Sequence, residues 1–138
     1  MEETEFKSKV VLALIVKNGK FLLIRRKVPS MKVEWAFPGG VTHEGETDEE
    51  AVSRETSEEV GVKVVVHQKL LERKHPNTLV PIAYFHCTPK GSATPKIGQP
   101  HEIAEIEWVK AKEVLEKFTS DVDPEIQKFI LSHARAKK

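Results

Sequence analysis

The chain has 138 residues, of which 39% are apolar, and its formal net charge at pH 7 is +1. This length predicts one domain covering residues 1–138, and the apolar fraction is large enough for a buried core. The nearly balanced charge is not typical of a general nucleic-acid binder, so we expect no stable nucleic-acid partner.

The N-terminal part of the chain predicts a β-hairpin. Residues 1–8 read as a frayed end and lack the basic-then-apolar pattern of a secretory signal. The apolar run Val10 to Val16 predicts a buried strand and is far too short to span a bilayer. Asn18-Gly19 is a strong hairpin signal, and Phe21 to Arg26 is the predicted return strand. The chain has a single cysteine, Cys87, which excludes an internal disulfide. Together with the missing signal pattern and the short apolar run, this predicts a cytoplasmic protein that does not contact a membrane.

The next segment leads to a pair of glycines. Residues 27–34 predict a loop, and Trp35 to Phe37 predicts a short strand that Pro38 stops. Gly39 and Gly40 then predict a sharp turn with positive φ and an exposed backbone.

Residues 40–62 carry the highest local charge of the chain. They include eight acidic residues and one arginine, which gives a local charge of −7. Thr47 and Glu50 have the spacing of a capping box, and Gly61 supplies a stop, so these residues bracket a predicted helix of about a dozen residues.

Three carboxylates of this helix share one face, because Glu55, Glu58 and Glu59 are spaced i, i+3 and i+4. Like charges at this spacing repel by about 0.2–0.5 kcal/mol per pair, and Glu58 and Glu59 also lie at the negative end of the helix dipole. A sequence that breaks local rules in this way usually does so at a functional site, and hard divalent cations take oxygen ligands. The helix is therefore a candidate metal site. The alternative is an acidic helix that is only solvated.

The remainder of the chain predicts a layered domain. Strands are predicted at Val62 to Val66 with a continuation towards Arg73, at Leu79 to Thr88 and at Ile103 to Val109, and helices at Lys112 to Phe118 and Pro124 to His133. Pro76-Asn77 predicts a turn, Pro81 suggests an edge strand or a bulge, and residues 89–100 predict a long irregular loop. Strands and helices that alternate in this way favour an α/β or α+β fold.

The spacing of the acidic segment resembles the signature box of the Nudix hydrolases. The fixed positions of that box, separated by five, seven, two and one residues, are occupied here by Gly40, Glu46, Arg54-Glu55, Glu58-Glu59 and Gly61-Val62. The preceding residues 35–39 are also similar to the family's approach to the box, whereas Thr56 stands where the family usually has an aliphatic residue. The resemblance implies an α/β/α sandwich around a mixed β-sheet.

The resemblance also implies magnesium-dependent hydrolysis of a nucleoside diphosphate linked to another moiety, with manganese as the alternative cation. Water attacks a phosphorus atom, and the metal bridges the anionic pyrophosphate to an acidic site that would otherwise repel it. Carried onto this sequence, the metal ligands are Glu55, Glu58, Glu59 and the carbonyl of Gly39. Glu55 and Glu58 are also expected catalytic residues, and Arg54 is expected to orient the carboxylates.

Three further residues have two interpretations each. Arg26 ends a strand near the box, and it either meets a phosphate or is an exposed strand-end cation. Trp35 precedes the glycines, and it either stacks on a base or is a core aromatic. Glu102 follows the long loop and either supplements the box as a base or extra ligand, as a late loop glutamate does in some Nudix enzymes, or is an exposed acid. The six histidines show no metal-ligand spacing and read as ordinary surface or strand residues.

The resemblance leaves the substrate open. A (deoxy)nucleoside triphosphate or a related small nucleotide is the first expectation. ADP-ribose, a nucleotide sugar, a dinucleoside polyphosphate and an RNA 5′ end are alternatives for the same chemistry. A nucleotide-sensing module that has lost catalysis is disfavoured, because a sensor does not need all three glutamates. We expect a monomer or a homodimer.

Overall fold

The computed structural model of the protein describes residues 8–27, 34–76, 78–118 and 122–134. Most residues of the frayed end predicted at 1–8 and of the loop predicted at 27–34 lie outside these ranges, as does Asn77 of the predicted turn. The described residues form seven strands and three helices, in the order β1 Val10–Lys17, β2 Lys20–Arg26, β3 Glu34–Ala36, β4 Gly39–Val41, α1 Asp48–Val60, β5 Val64–Lys74, β6 Pro81–Pro89, β7 Ile103–Lys110, α2 Ala111–Lys117 and α3 Pro124–Ser132.

The strands form one mixed sheet. β3, β2, β1, β6 and β5 lie side by side in that order, while β4 pairs with β1 and β7 pairs with β2. β1 and β6 are parallel, and the other pairs are antiparallel. Asn18 and Gly19, between β1 and β2, have φ values of 53° and 75°. Positive φ at both positions is what a tight type I′ hairpin requires, so the hairpin prediction is confirmed.

Helices cover both faces of the sheet. Successive residues of β1 enter two separate apolar clusters: Ala13 lies in a cluster with Val52 of α1, whereas Leu14 lies in a cluster with Val114 of α2 and Ile130 of α3. β1 is therefore buried on both faces, which explains its continuous apolar run. The arrangement is an α/β/α sandwich around a mixed sheet, and this prediction is confirmed. None of the described helices is long and apolar enough to cross a membrane.

The turn predicted at Gly39 and Gly40 is wrong, although Gly39 has the predicted positive φ, of 157°. Both residues belong to β4, which pairs antiparallel with Val11 and Leu12 of β1, and Gly39 is buried rather than exposed. Close approach, not turn geometry, requires glycine here. A Cβ atom at Gly39 would overlap the carbonyl oxygen of Val11.

The suggestion that Pro81 marks an edge strand or a bulge is also wrong. β6 lies between β1 and β5, and Pro81 is its first residue. At the first position of a strand the missing N–H group does not interrupt the hydrogen-bond ladder. The register irregularities of this pair fall elsewhere, between Val66 and Gln68 and between Lys69 and Leu71 of β5.

Candidate active site

Helix α1, which carries the three glutamates, is capped at both ends. The Thr47 hydroxyl accepts a hydrogen bond from the Glu50 amide at 3.1 Å, and the Glu50 carboxylate accepts one from the Thr47 amide at 3.0 Å. This is the predicted capping box. Gly61 ends the helix in the left-handed conformation, with φ 67°. Both capping predictions are confirmed, and the fixed ends set the positions of the glutamates along the helix.

The loop before β7 closes the C-terminal end of α1. The amide of Lys96 donates to the Val60 carbonyl at 2.8 Å, and the amide of Gly98 donates to the Glu59 carbonyl at 2.9 Å. These bonds satisfy carbonyl groups that a helix end leaves unpaired. A Cβ atom at Gly98 would overlap the carbonyl oxygen of Glu58, so the contact requires glycine. Sequence reasoning missed this role, because a glycine in an irregular loop carries no signal of what it approaches.

Glu59 is the buried carboxylate of the site, with 2% of its surface exposed. Its Oε1 accepts a hydrogen bond from the Gly39 amide at 2.9 Å, and its Oε2 lies 3.2 Å from Nη2 of Arg26. The same Nη2 donates to the Gly39 carbonyl at 3.4 Å. Burial raises the pKa of Glu59, whereas the positive charge of Arg26 and the Gly39 hydrogen bond oppose that rise. Sequence reasoning treated Arg26 and Glu59 separately and missed this pair.

Glu55 packs against the backbone of β4. Its carboxylate occupies the space where Gly40 would carry a Cβ atom, which explains a glycine at this position of the box. Oε2 of Glu55 accepts a hydrogen bond from Nη1 of Arg54 at 3.0 Å. The same nitrogen lies 3.3 Å from Oε1 of Glu58, the i+4 partner. Arg54 therefore holds two of the three glutamates by one oxygen each.

The other side of the Arg54 guanidinium is bound by Glu46. Nε donates to Oε2 at 2.6 Å and Nη2 donates to Oε1 at 3.1 Å, which is a bidentate pair. Nη2 also donates to the Val41 carbonyl at 3.0 Å, and the His43 amide donates to Glu46 at 2.8 Å. The hydrogen bonds from Arg54 lower the pKa of Glu46 to about 2. Arg54 thus links the loop before α1, strand β4 and the glutamates. Its expected role of orienting the carboxylates stays a prediction.

Two predicted site residues are not brought into contact with the glutamates. Trp35 packs in the apolar cluster of α2 and α3, on the face opposite α1, and Nζ of Lys117 lies 4.5 Å from its ring centroid. Glu102 reaches the edge near Arg26 through its backbone, since its carbonyl accepts a hydrogen bond from the Lys27 amide at 2.8 Å. Its side chain is 53% exposed and lies 3.8 Å from His101. The roles of Trp35 and Glu102 stay predictions.

The oxygen atoms of the site fit a hard divalent cation. Glu59 Oε2 and the Gly39 carbonyl already converge on one positively charged nitrogen of Arg26, and carboxylate and carbonyl oxygens are the ligands that magnesium prefers. Within the described ranges, no three acidic, histidine or cysteine side chains lie close enough together to hold an ion as they stand. An ion that binds Glu59 Oε2 and the Gly39 carbonyl would have to take over the contacts that Arg26 now makes with these two atoms.

Comparisons with known proteins agree with this geometry. Residues 6–129 match the NUDIX domain. A MutT-like protein of Streptomyces ambofaciens is 30% identical over 104 residues, which are 75% of this chain and 64% of that protein, so the chain spans less than two thirds of that relative. The CTP pyrophosphohydrolase of Escherichia coli strain K12 is 29% identical over 110 residues, which are 78% of each chain. The crystal structure of the MutT protein from Methanosarcina mazei Go1 matches with a TM-score of 0.68 at 25% identity, over 97% of both chains. The chain therefore belongs to the Nudix family.

Proposed function

We propose that this chain is a magnesium-dependent pyrophosphohydrolase that acts on a (deoxy)nucleoside triphosphate or a related small nucleotide. The observation that carries the proposal is the convergence of the Glu59 carboxylate and the Gly39 carbonyl on one cationic position, next to two further carboxylates on the same helix. A site with this much negative charge repels a polyphosphate unless a metal ion bridges the two. Family membership supports the same chemistry.

The residues divide into two groups by burial. Glu59 and the Gly39 carbonyl lie in the interior and would hold the ion in a fixed place. Glu55 and Glu58 each give one oxygen to Arg54, and the described residues donate no hydrogen bond to the second oxygen of either group. These second oxygens can bind the ion or accept a proton from the attacking water.

Magnesium, when bound, supplies charge neutralisation at the phosphate oxygens and a more acidic water. Arg54 keeps Glu55 and Glu58 at a fixed separation through Nη1, and its bidentate pair with Glu46 prevents the guanidinium from turning towards the substrate. Arg54 is therefore a positioning residue in this proposal. Arg26 is the residue that can change partner, because an ion bound at Glu59 would release its guanidinium for a substrate phosphate.

The choice of a nucleoside triphosphate rests on one relative that the chain covers over most of its length. The Escherichia coli protein is named for CTP, and the chain covers 78% of it at 29% identity. A single-domain protein in the cytoplasm, present as a monomer or a homodimer and without a stable nucleic-acid partner, belongs to the same proposal.

The test is a panel of nucleotides incubated with the protein and magnesium, with released phosphate and pyrophosphate measured separately. Reaction in ¹⁸O-labelled water then identifies the attacked phosphorus from the product that carries the label. We expect turnover of at least one nucleoside triphosphate and no turnover without a divalent cation. No hydrolysis of any nucleotide in the panel, by protein shown to be folded, would reject the proposal.

Two double variants separate site chemistry from general charge. Glu58→Gln with Glu59→Gln should abolish most of the activity and most of the rise in melting temperature that magnesium causes through binding to the folded state. Glu49→Gln with Glu113→Gln removes the same charge from two exposed positions that form no ion pair with described residues. This control should keep both properties. Equal losses in the two double variants would place the metal-dependent effect outside the proposed site.

A further inference from the structure

A large cavity lies away from the glutamates, where the β1–β2 hairpin, the start of α2 and the end of α3 meet. Its volume is about 940 Å³, which is ample for a small organic ligand. Its described lining contains four lysines and three histidines and includes no acidic side chain. None of the residues assigned above to the active site lines it. The backbone bond from the Ala111 amide to the Gly19 carbonyl, at 2.9 Å, fixes the hairpin against α2 at its rim.

The lysines are arranged against ordinary strand-pairing rules. Lys17 pairs directly with Lys20 across β1 and β2, and Lys20 pairs directly with Lys110 across β2 and β7. Like charges that lie opposite each other destabilise a sheet. Lys112 adds a fourth cation two residues after Lys110. Among the described residues, none of the four ammonium groups has a carboxylate within ion-pair distance. A group of unneutralised cations among the residues that line a cavity is suited to an anionic ligand.

The histidines give the cavity flat, aromatic walls. The ring centroids of His67 and His86 are 4.8 Å apart, those of His86 and His133 are 6.0 Å apart, and Phe129 lies 5.0 Å from His86. His67 Nε2 lies 2.7 Å from the Thr88 hydroxyl, which orients that ring. Burial lowers the pKa of His86 and of His133, and the neighbouring histidines lower that of His86 further. Uncharged imidazole rings at neutral pH are surfaces on which a nucleobase can stack.

We propose that this cavity is a second nucleotide-binding site, in which the base stacks on the histidine rings and the lysines bind the phosphates. Lysines alone would suit any anion, and aromatic rings alone would suit any apolar group. Their combination in one cavity favours a ligand with a flat ring and a phosphate, and a nucleoside monophosphate is the simplest such ligand. A site of this kind would let the protein respond to a nucleotide without occupying the glutamates.

The histidines provide a readout at the residues themselves. The full chain is titrated with AMP in EDTA, and the imidazole C2–H signals are followed by NMR across pH 5 to 8. A bound phosphate favours the charged form of nearby imidazoles. We expect AMP to shift the signals of His67, His86 and His133 and to raise the lowered pKa values of His86 and His133. The signals of His43, His75 and His101, which do not line the cavity, serve as internal references and should keep their positions.

Variants decide where the ligand sits. Lys20→Gln with Lys110→Gln should weaken AMP binding about tenfold or more, since two charge-assisted contacts are lost. Lys74→Gln with Lys96→Gln removes the same charge at exposed positions outside the cavity and should bind AMP as the wild type does. Glu58→Gln with Glu59→Gln should also bind AMP normally in EDTA, which separates this site from the proposed active site.

Three results would overturn the proposal. One is the absence of any AMP-dependent shift at the three cavity histidines. Another is equal AMP affinity in the two lysine double variants. The third is inorganic phosphate binding as tightly as AMP, because equal affinity for phosphate alone does not fit stacking of a base in this cavity.

Discussion

The Arg26 guanidinium and the Glu59 carboxylate lie 3.2 Å apart, and the same nitrogen of Arg26 also donates to the Gly39 carbonyl. Two of the oxygens expected to bind magnesium are thus held by a cation of the chain itself. A buried carboxylate without a partner is costly, so Arg26 stabilises the site when no metal is bound. Binding of a metal ion at Glu59 would make that contact redundant.

This relationship predicts how Arg26→Met changes the response to magnesium. Without a divalent cation the variant should lose about 1–3 kcal/mol of unfolding free energy, because Glu59 loses a charged partner. With saturating magnesium the loss should be smaller, since the ion replaces the missing charge. The increase in melting temperature on adding magnesium should therefore be larger in the variant than in the wild type, as measured by differential scanning calorimetry.

Arg25→Met is the matched control for this experiment. Arg25 lies on the same strand and pairs with Glu105 at 2.8 Å, but both of these side chains are more than a third exposed. An exposed ion pair contributes about 0–1 kcal/mol, so this variant should show the wild-type response to magnesium. A magnesium response in Arg26→Met that is equal to or smaller than that of the wild type would contradict the exchange of Arg26 for the metal.

The second prediction concerns pH and Glu46. The hydrogen bonds from Arg54 lower the pKa of Glu46 from 4.5 to about 2 in the folded protein. Because the folded-state pKa is the lower one, this carboxylate stabilises the fold fully above pH 4.5, and its contribution disappears as the pH falls towards 2. Glu46→Gln should cost about 1–3 kcal/mol at pH 7, the usual range for hydrogen bonds to a charged group. The difference in unfolding free energy between this variant and the wild type should decrease steadily as the pH falls from 4.5 to 2.

Urea denaturation at several pH values measures the difference in unfolding free energy between Glu46→Gln and the wild type. Glu44→Gln is the control, because Glu44 is exposed and makes no hydrogen bond with described residues. It should follow the wild type at every pH. A Glu46→Gln deficit that stays constant from pH 7 to 3 would mean that the side chain contributes through packing rather than through its charge.

Whether the sequence predicted a contact of this site depends on how far apart the two residues lie along the chain. The caps of α1 were predictable because Thr47 with Glu50, and Gly61 with the helix end, are local signals within one turn. The bond between Arg54 and Glu58 follows from i+4 spacing. These features need no knowledge of the tertiary structure.

Contacts between distant segments were not predictable in the same way. Arg26 and Glu59 are separated by 33 positions, and they meet only because the tertiary fold brings the end of β2 next to the end of α1. The glycines at 39 and 40 were read as a turn because glycine permits positive φ, whereas their packing against Val11 and Glu55 is what requires them. The cavity histidines come from β5, β6 and the end of α3, so their spacing along the chain gave no signal.

The third prediction concerns Thr56, which departs from the usual aliphatic residue of the box. Thr56 is fully buried, and its hydroxyl donates to the Ser53 carbonyl of the same helix at 3.1 Å. A helix carbonyl of this kind keeps its backbone partner when the hydroxyl is removed, so no buried group is left unsatisfied. Thr56→Val should therefore change the unfolding free energy by less than about 0.5 kcal/mol, or raise it, and should leave activity unchanged.

Val52→Thr tests the sensitivity of that measurement. Val52 lies in the same helix and is 1% exposed. The substitution replaces one of its methyl groups by a hydroxyl group of similar size inside the apolar cluster. It should destabilise the protein by about 1–3 kcal/mol. If Thr56→Val lost as much stability as Val52→Thr, the Thr56 hydroxyl would have a structural role that its helix contact does not explain.

The last prediction concerns Glu102, the carboxylate outside the box. Two backbone hydrogen bonds fix its main chain. The Glu102 amide donates to the Gln99 carbonyl, and the Lys27 amide donates to the Glu102 carbonyl. Its side chain is 53% exposed and can rotate without disturbing these bonds. A carboxylate on the strand edge next to Arg26 can therefore reach a substrate phosphate or its water only by side-chain rotation. We expect Glu102→Gln to lower kcat at least tenfold, because a general base contributes roughly 10²–10⁴-fold.

Glu105→Gln is the control. Glu105 pairs with Arg25 on the other face of the strand from Ile106, so this variant should keep near-wild-type kcat. Both variants should unfold within about 0.5 kcal/mol of the wild type, as exposed substitutions usually do. Steady-state assays at saturating magnesium decide the matter: equal, near-wild-type rates for the two variants would leave catalysis to Glu55, Glu58 and Glu59 alone.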